Sequence, residues 1–231
     1  MNSVLGVSRA SNAREIIDVV LGRNEIEMYE MRLEFLSPLV TKFYVGESSL
    51  SHQLREKPQH FLKAKEEGAL SNFNWEVVQL PITQRNRTEW SPWSYEQFSR
   101  NFLARHVAAL HPDAVILLCD LDEIPSHQQI SQLKLLSGGP VSLPMIHCYR
   151  FANWRMEPKE NVWMKARAFR APEYKDNLRS KPAPALRGEL GVHLSYVGMS
   201  QAGIQEKLSQ FAHSEWSRPE LGSAENLALA D

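Results

Sequence analysis

The sequence predicts an α/β protein with a mainly parallel central sheet, flanking helices and a smaller antiparallel extension. Three observations carry this expectation. The first half alternates short apolar runs with segments of helical periodicity, the second half is rich in strands, and Val115 to Leu118 form an unbroken apolar run suited to a strand buried on both faces.

The elements follow in order. Residues 16–20 (IIDVV) read as the first strand. Ile26, Tyr29, Leu33 and Leu36 recur at helical spacing, with Asn24 and Glu27 placed for a capping box and Pro38 as the stop. Residues 40–46 form a strand, residues 59–67 a short helix and residues 75–80 a strand. Ser94 to Leu110 make a helix whose apolar stripe is Tyr95, Phe98, Phe102, Leu103, Val107 and Leu110. After the apolar strand, Ser126 and Gln129 form a capping box for a helix through Leu136. Residues 141–151 and 161–170 read as strands, the latter alternating in a two-residue period. Residues 171–191 contain three prolines and two glycines, which predicts a mobile loop. A strand at 192–196 and a helix from Ser200, with Ile204, Leu208 and Phe211 inside, complete the chain before a frayed tail from Ser217.

The 231 residues suffice for a single domain spanning 1–231. A formal net charge of −1 gives no sequence-independent grip on nucleic acid, which is therefore a disfavoured partner. Cys119 and Cys148 lie in apolar, strand-like surroundings and read as core thiols of a reducing compartment. No apolar run approaches the roughly 20 residues of a membrane span, and the N-terminus lacks a secretory pattern. A soluble, cytoplasmic protein is expected.

The apolar strand runs directly into Asp120, Asp122 and Glu123. Ligands of open α/β sheets bind beyond the carboxyl ends of such strands. Asp120 and Asp122 are two apart, so in an extended chain both project to one side. A divalent cation that prefers oxygen, Mn²⁺ or Mg²⁺, relieves their repulsion and bridges to substrate phosphates. The competing reading is a solvated turn that caps the next helix.

D-x-D at the end of a central strand resembles the metal and nucleotide-sugar signature of GT-A glycosyltransferases. The longer "DLDEIPS" resembles glycosyltransferase family 17, which includes the N-acetylglucosaminyltransferase that adds bisecting GlcNAc. "REIIDVVLGRNEIEMYEMRLEFL", "FYVGESSLSHQLREKP", "FSRNFL", "YRFANWR", "KARAFR", "GVHLSYVG" and "IQEKLSQFAHSEW" resemble further segments of that family, in its order. The resemblance covers residues 14–216 and departs at Val192, where the family usually has an aromatic, and at Ser51-His52. It implies a bacterial or viral member with a GT-A fold, a nucleotide-sugar-binding half at 14–126 and an acceptor half at 127–216.

The resemblance also implies roles. The donor is a UDP-sugar, with GlcNAc first, and the acceptor is a hydroxyl on a glycan or other molecule. Asp122 and His193 are metal ligands, and Asp120 shares the metal or holds the ribose. Arg155 and Lys165 neutralise the leaving diphosphate, with Trp154 beside them as a sugar-stacking or core residue. Glu25, Arg32 and Glu47 line the nucleoside pocket. Each is also readable as half of a structural ion pair, above all Glu25 and Arg32 on their shared helix. Arg100 and Asn101, off the buried stripe, reach the donor. Making a β linkage from an α-linked donor inverts the anomeric carbon and needs a general base, for which Glu157 and Glu189 are the candidates. Two other functions remain open: a carbohydrate-binding protein without turnover, and a metal-dependent nucleotidyltransferase. The sequence has no G-x-x-x-x-G-K-[ST] loop for the latter.

Overall fold

The computed structural model describes residues 13–81, 90–153, 155, 162–210 and 212. Trp154, Glu157, Phe211 and the tail from Ser217 lie outside the described residues.

A six-stranded sheet has the order β3-β2-β1-β4-β9-β6. Its strands are β1 (Ile16–Leu21), β2 (Lys42–Glu47), β3 (Trp75–Gln79), β4 (Val115–Leu118), β6 (Val141–Ser142) and β9 (Arg167–Arg170). β3, β2, β1 and β4 are mutually parallel, while β9 runs antiparallel to β4 and β6 antiparallel to β9. A second sheet has the order β5-β10-β7-β8, from β5 (Glu123–Ile124), β7 (Met145–Tyr149), β8 (Val162–Trp163) and β10 (Gly191–Ser195). The first sheet is the mainly parallel, helix-flanked sheet that the sequence predicts, whereas the smaller extension is mixed rather than antiparallel, because β10 and β7 pair in parallel.

β1 shows why the large sheet is apolar throughout. Ile16 and Val20 enter one core cluster, with Tyr29, Leu33 and Leu36 of α1 (Ile26–Leu36). Ile17 and Val19 enter the other, with Leu103, Ala104 and Val107 of α3 (Pro92–Leu110). Alternate residues thus face opposite layers, and both layers are covered. The α3 stripe is shifted from the expected one: Ser99, Ala104 and Ala108 are buried, Phe98 and Phe102 are half-buried and Leu110 is exposed. The remaining helices are α2 (His60–Glu66), α4 (His127–Leu133) and α5 (Gln201–Gln210).

The capping box of α4 forms as expected from Ser126 and Gln129. The one expected for α1 does not: its cap residue is Glu25, whose side chain makes no cap bond. The expected strands 141–151 and 161–170 each break in two, the first at Leu143-Pro144, where proline cannot donate to a ladder. The halves of the chain interleave. β6 and β9 pair into the first sheet, and β5 pairs into the second. Among the described residues, no helix is long and apolar enough to cross a membrane. Both cysteines are free and buried.

Candidate active site

β1 and β4 pair in parallel, so their carboxyl ends lie side by side. A cleft of about 820 Å³ opens there, bounded by the β1 loop, α3, the second sheet and α5. At the loop's start, a Cβ on Gly22 would meet the Phe61 ring at 2.5 Å and Val45 Cγ2 at 2.6 Å, so only glycine lets the chain turn into the cleft.

β4 ends at Leu118, and the acidic segment is a turn, with Glu123 N donating to the Asp120 carbonyl at 3.0 Å. This corrects the expectation of an extended strand end. Asp120 and Asp122 both line the cleft but meet different partners. Asp120 Oδ1 lies 2.5 Å from Arg100 Nη2, and its Oδ2 lies 2.7 Å from Arg179 Nη2. Asp122 Oδ2 lies 2.8 Å from Lys207 Nζ, and its Oδ1 lies 3.5 Å from His193 Nε2. Burial opposes both charges. Arg100 and Arg179 nevertheless hold Asp120 well below the usual carboxylate range, and Lys207 and His193 do the same for Asp122. Burial likewise opposes a charged His193, but the neighbouring Asp122 raises it above its ordinary value.

Two buried side chains set the shape of this turn. Glu123 is fully buried and accepts from Asp120 N at 2.7 Å, from both Arg179 Nη groups at 2.8 and 2.7 Å, and from Trp163 Nε1. Arg32, also fully buried, holds Asp18 through two bonds of 2.7 and 2.6 Å. Its Nη1 donates to the carbonyls of Glu123 at 2.5 Å and Leu121 at 3.3 Å. The carboxylates can therefore end a buried run because cations compensate each of them: Arg100 and Arg179 at Asp120, Arg179 at Glu123 and Lys207 at Asp122.

The far wall is a polar line through the second sheet. His147 Nε2 is 2.9 Å from Ser195 Oγ, which is 3.1 Å from His193 Nε2. The imidazoles of His147 and His193 stack at 4.6 Å, and Trp163 packs on His193 at 4.4 Å. His193 Nδ1 is buried without a hydrogen-bond partner.

The donor set fits a hard divalent ion at Asp122 and His193. Their 3.5 Å separation is long for a hydrogen bond. It suits two ligands each about 2.1 Å from one ion. Asp120 fits less well, because an arginine occupies each of its oxygens. Among the described residues, no group of three or more His, Cys, Asp or Glu side chains could hold a metal.

The other expected site residues divide into two groups. Glu25, Arg100, Asn101 and Lys165 line the cleft. Glu25 pairs with Arg23 and Arg32 with Asp18, so both stand in the structural ion pairs that their alternative reading expects. Arg32 and Glu47 lie behind the cleft. Glu47 is fully buried, accepts from Phe61 N at 3.1 Å and Leu62 N at 2.9 Å, and so caps α2. Arg155 is exposed on a bridge to Cys148, and Glu189 is exposed in the loop before β10. Neither lines the cleft. Glu157 lies outside the described residues.

Sequence reasoning missed Arg23, Arg179, Ser195 and Lys207, all in the cleft wall. Only Ser195 had a local signal: two residues from His193 in a strand, it must share that face. The loop at 171–191 is also not the free flap expected. Asn101 accepts from Asn177 N at 2.9 Å and donates to Asn177 Oδ1 at 2.7 Å, and Arg179 is bonded to Asp120 and Glu123.

A family model described as Glycosyltransferase family 17 matches residues 2–226. The β-1,4-mannosyl-glycoprotein 4-β-N-acetylglucosaminyltransferases of Homo sapiens and Rattus norvegicus are each 24% identical to the chain over 135 residues. That match covers 54% of this chain and 24% of theirs, so the chain spans about a quarter of the length of these relatives. Among solved structures, mannosyltransferase PcManGT from Pyrobaculum calidifontis in complex with GDP-Man and Mn²⁺ aligns with a TM-score of 0.46 and 10% identity. That alignment covers 87% of this chain and 62% of the other.

Proposed function

The chain belongs to glycosyltransferase family 17 and is a glycosyltransferase, and from that premise we propose that it moves a sugar, GlcNAc first, from a UDP-sugar to an acceptor hydroxyl with inversion. The observation that carries this reading is the aspartate turn at the carboxyl end of β4. It sets Asp122 and His193 3.5 Å apart in a cleft of about 820 Å³ walled by arginines and lysines. The GlcNAc donor and glycan acceptor draw support from the names of the human and rat relatives.

Asp122 and His193 would hold a cation, Mn²⁺ or Mg²⁺, which would supply Lewis-acid stabilisation of the leaving diphosphate. Asp120, fixed between Arg100 and Arg179, presents its edge to the ribose. The two guanidiniums, with Lys165 at the exposed rim, attract the diphosphate. The β1 loop and the start of α3 enclose the nucleoside. The buried carboxylates cannot serve as the base, because the cleft-lining acids Glu25, Glu96, Asp120 and Asp122 are all ion-paired. With Glu189 exposed beyond the cleft, Glu157 keeps the assignment of general base. The same pairing favours a second reading, a nucleotide-sugar-binding protein without turnover.

Release of UDP across UDP-GlcNAc, UDP-glucose, UDP-galactose and GDP-mannose, with Mn²⁺ throughout, tests the proposal. UDP-GlcNAc is expected to be preferred. Preference for GDP-mannose would defeat the uridine assignment, and preference for UDP-glucose only the sugar. Binding without any release would favour the second reading.

A further inference from the structure

Lys207 has no role in the reading above, yet its position is unusual for a lysine. It is 5% exposed, whereas lysine ordinarily keeps its ammonium in water. Its Nζ is 2.8 Å from Asp122 Oδ2 and 5.2 Å from the centre of the Tyr196 ring, and it lines the cleft. Its place is fixed from two sides. Arg23 Nη1 donates to the Lys207 carbonyl at 3.4 Å, and α5 is moored to the loop after β2 by His52 N donating to the Gln210 carbonyl at 3.1 Å. Tyr196, whose ring underlies the ammonium, has a left-handed backbone at φ 60°, a conformation that costs a tyrosine energy and holds its ring at the cleft.

A cation on Asp122 and an ammonium on the same carboxylate repel each other unless an anion lies between them. The donor diphosphate is such an anion. We propose that Lys207 is a catalytic residue that moves from Asp122 to the donor β-phosphate when cation and donor bind. This inference rests on the cation site at Asp122 and His193. As the bond between the anomeric carbon and the β-phosphate oxygen breaks, its electron pair stays on that oxygen. Lys207 keeps its proton and hydrogen-bonds the charge that develops there. The attacking hydroxyl oxygen bonds to the anomeric carbon and gives up its proton to the general base. In a hydrolysis assay the attacker is water and the proton passes to bulk water.

The test compares the full chain with Lys207→Met, which keeps the apolar stem, and with Lys207→Gln and Lys207→Arg. Three quantities are read: Mn²⁺ affinity without donor, UDP affinity with Mn²⁺, and kcat for UDP release from the UDP-sugar that the unaltered chain turns over. Removing the ammonium frees Asp122, so Lys207→Met is expected to bind Mn²⁺ about tenfold more tightly. It is expected to bind UDP more weakly and to lose about a hundredfold in kcat. Lys207→Arg should stay within about tenfold of the unaltered chain, as a retained charge predicts. Lys207→Gln repeats the comparison if the methionine variant fails to fold. A variant without the charge that binds Mn²⁺ no tighter, or that keeps its kcat, overturns the role of Lys207 alone. An unaltered chain that neither binds Mn²⁺ nor releases UDP overturns the cation site, and this inference with it.

Discussion

Arg32 shows how far a single residue can be read from sequence. Its presence near the site is legible from the helix that carries it, but its partners are not. Asp18 sits in β1, and the carbonyls that Arg32 holds belong to a turn some 90 residues on in the sequence. The place of Asp122 in the cleft is legible from a local signal, a D-x-D after an apolar strand, and that of His193 from the resemblance of its segment to the family. Arg179 and Lys207 are not, because closure of the fold alone brings them to the carboxylates. His52 offers a test at this scale. Burial lowers its pKa from 6.5 to about 4, so it is neutral at pH 7, and its 3.8 Å approach to Glu96 is not an ion pair there. The unfolded chain therefore takes up the proton first as pH falls, and stability is lost between pH 6.5 and pH 4. Urea unfolding at pH 7 and pH 4.5 is expected to show roughly 2 kcal/mol of this loss assignable to His52. His52→Gln should flatten the difference by that amount, and an equal pH dependence in both proteins would contradict the assignment.

Among the elements, periodic segments are the most legible. β1, β2, β3, β4 and α3 lie within a residue or two of their expected bounds, because apolar spacing and burial agree there. The segment at 171–191 is the contrary case. Its prolines forbid regular helix, and the chain answers with two 3-10 turns, Ala171–Glu173 and Leu178–Ser180. Lack of periodicity predicts lack of regular structure but says nothing about side-chain bonds. Asn101, Asn177 and Arg179 tie this segment to α3 and to the aspartate turn. Asn177 also takes φ 64°, a left-handed conformation that asparagine tolerates. Asn101→Ala removes both bonds to Asn177, so it is expected to speed proteolytic cutting within 171–191 several-fold at unchanged overall stability. Equal cutting rates would mean that these bonds do not hold the segment.

For the whole molecule, the sequence locates the cleft by a rule about sheets. Parallel strands ending together leave a crevice at their carboxyl ends, and here β1 and β4 end beside the second sheet and α5. The less legible part is the second sheet, whose β5 comes from the acidic turn itself and whose β8 and β10 are separated by the 171–191 segment. Such non-local pairing leaves no period in the sequence. The central proposal is that the cleft joins a divalent cation to a uridine diphosphate through Asp122 and His193. Calorimetric titration of UDP into the full chain, once with Mn²⁺ and once with a chelator, tests this most directly. At least tenfold tighter binding with Mn²⁺ is expected, about 1.4 kcal/mol, and the gain should be lost in Asp122→Ala. Equal UDP affinity with Mn²⁺ and with chelator would contradict it.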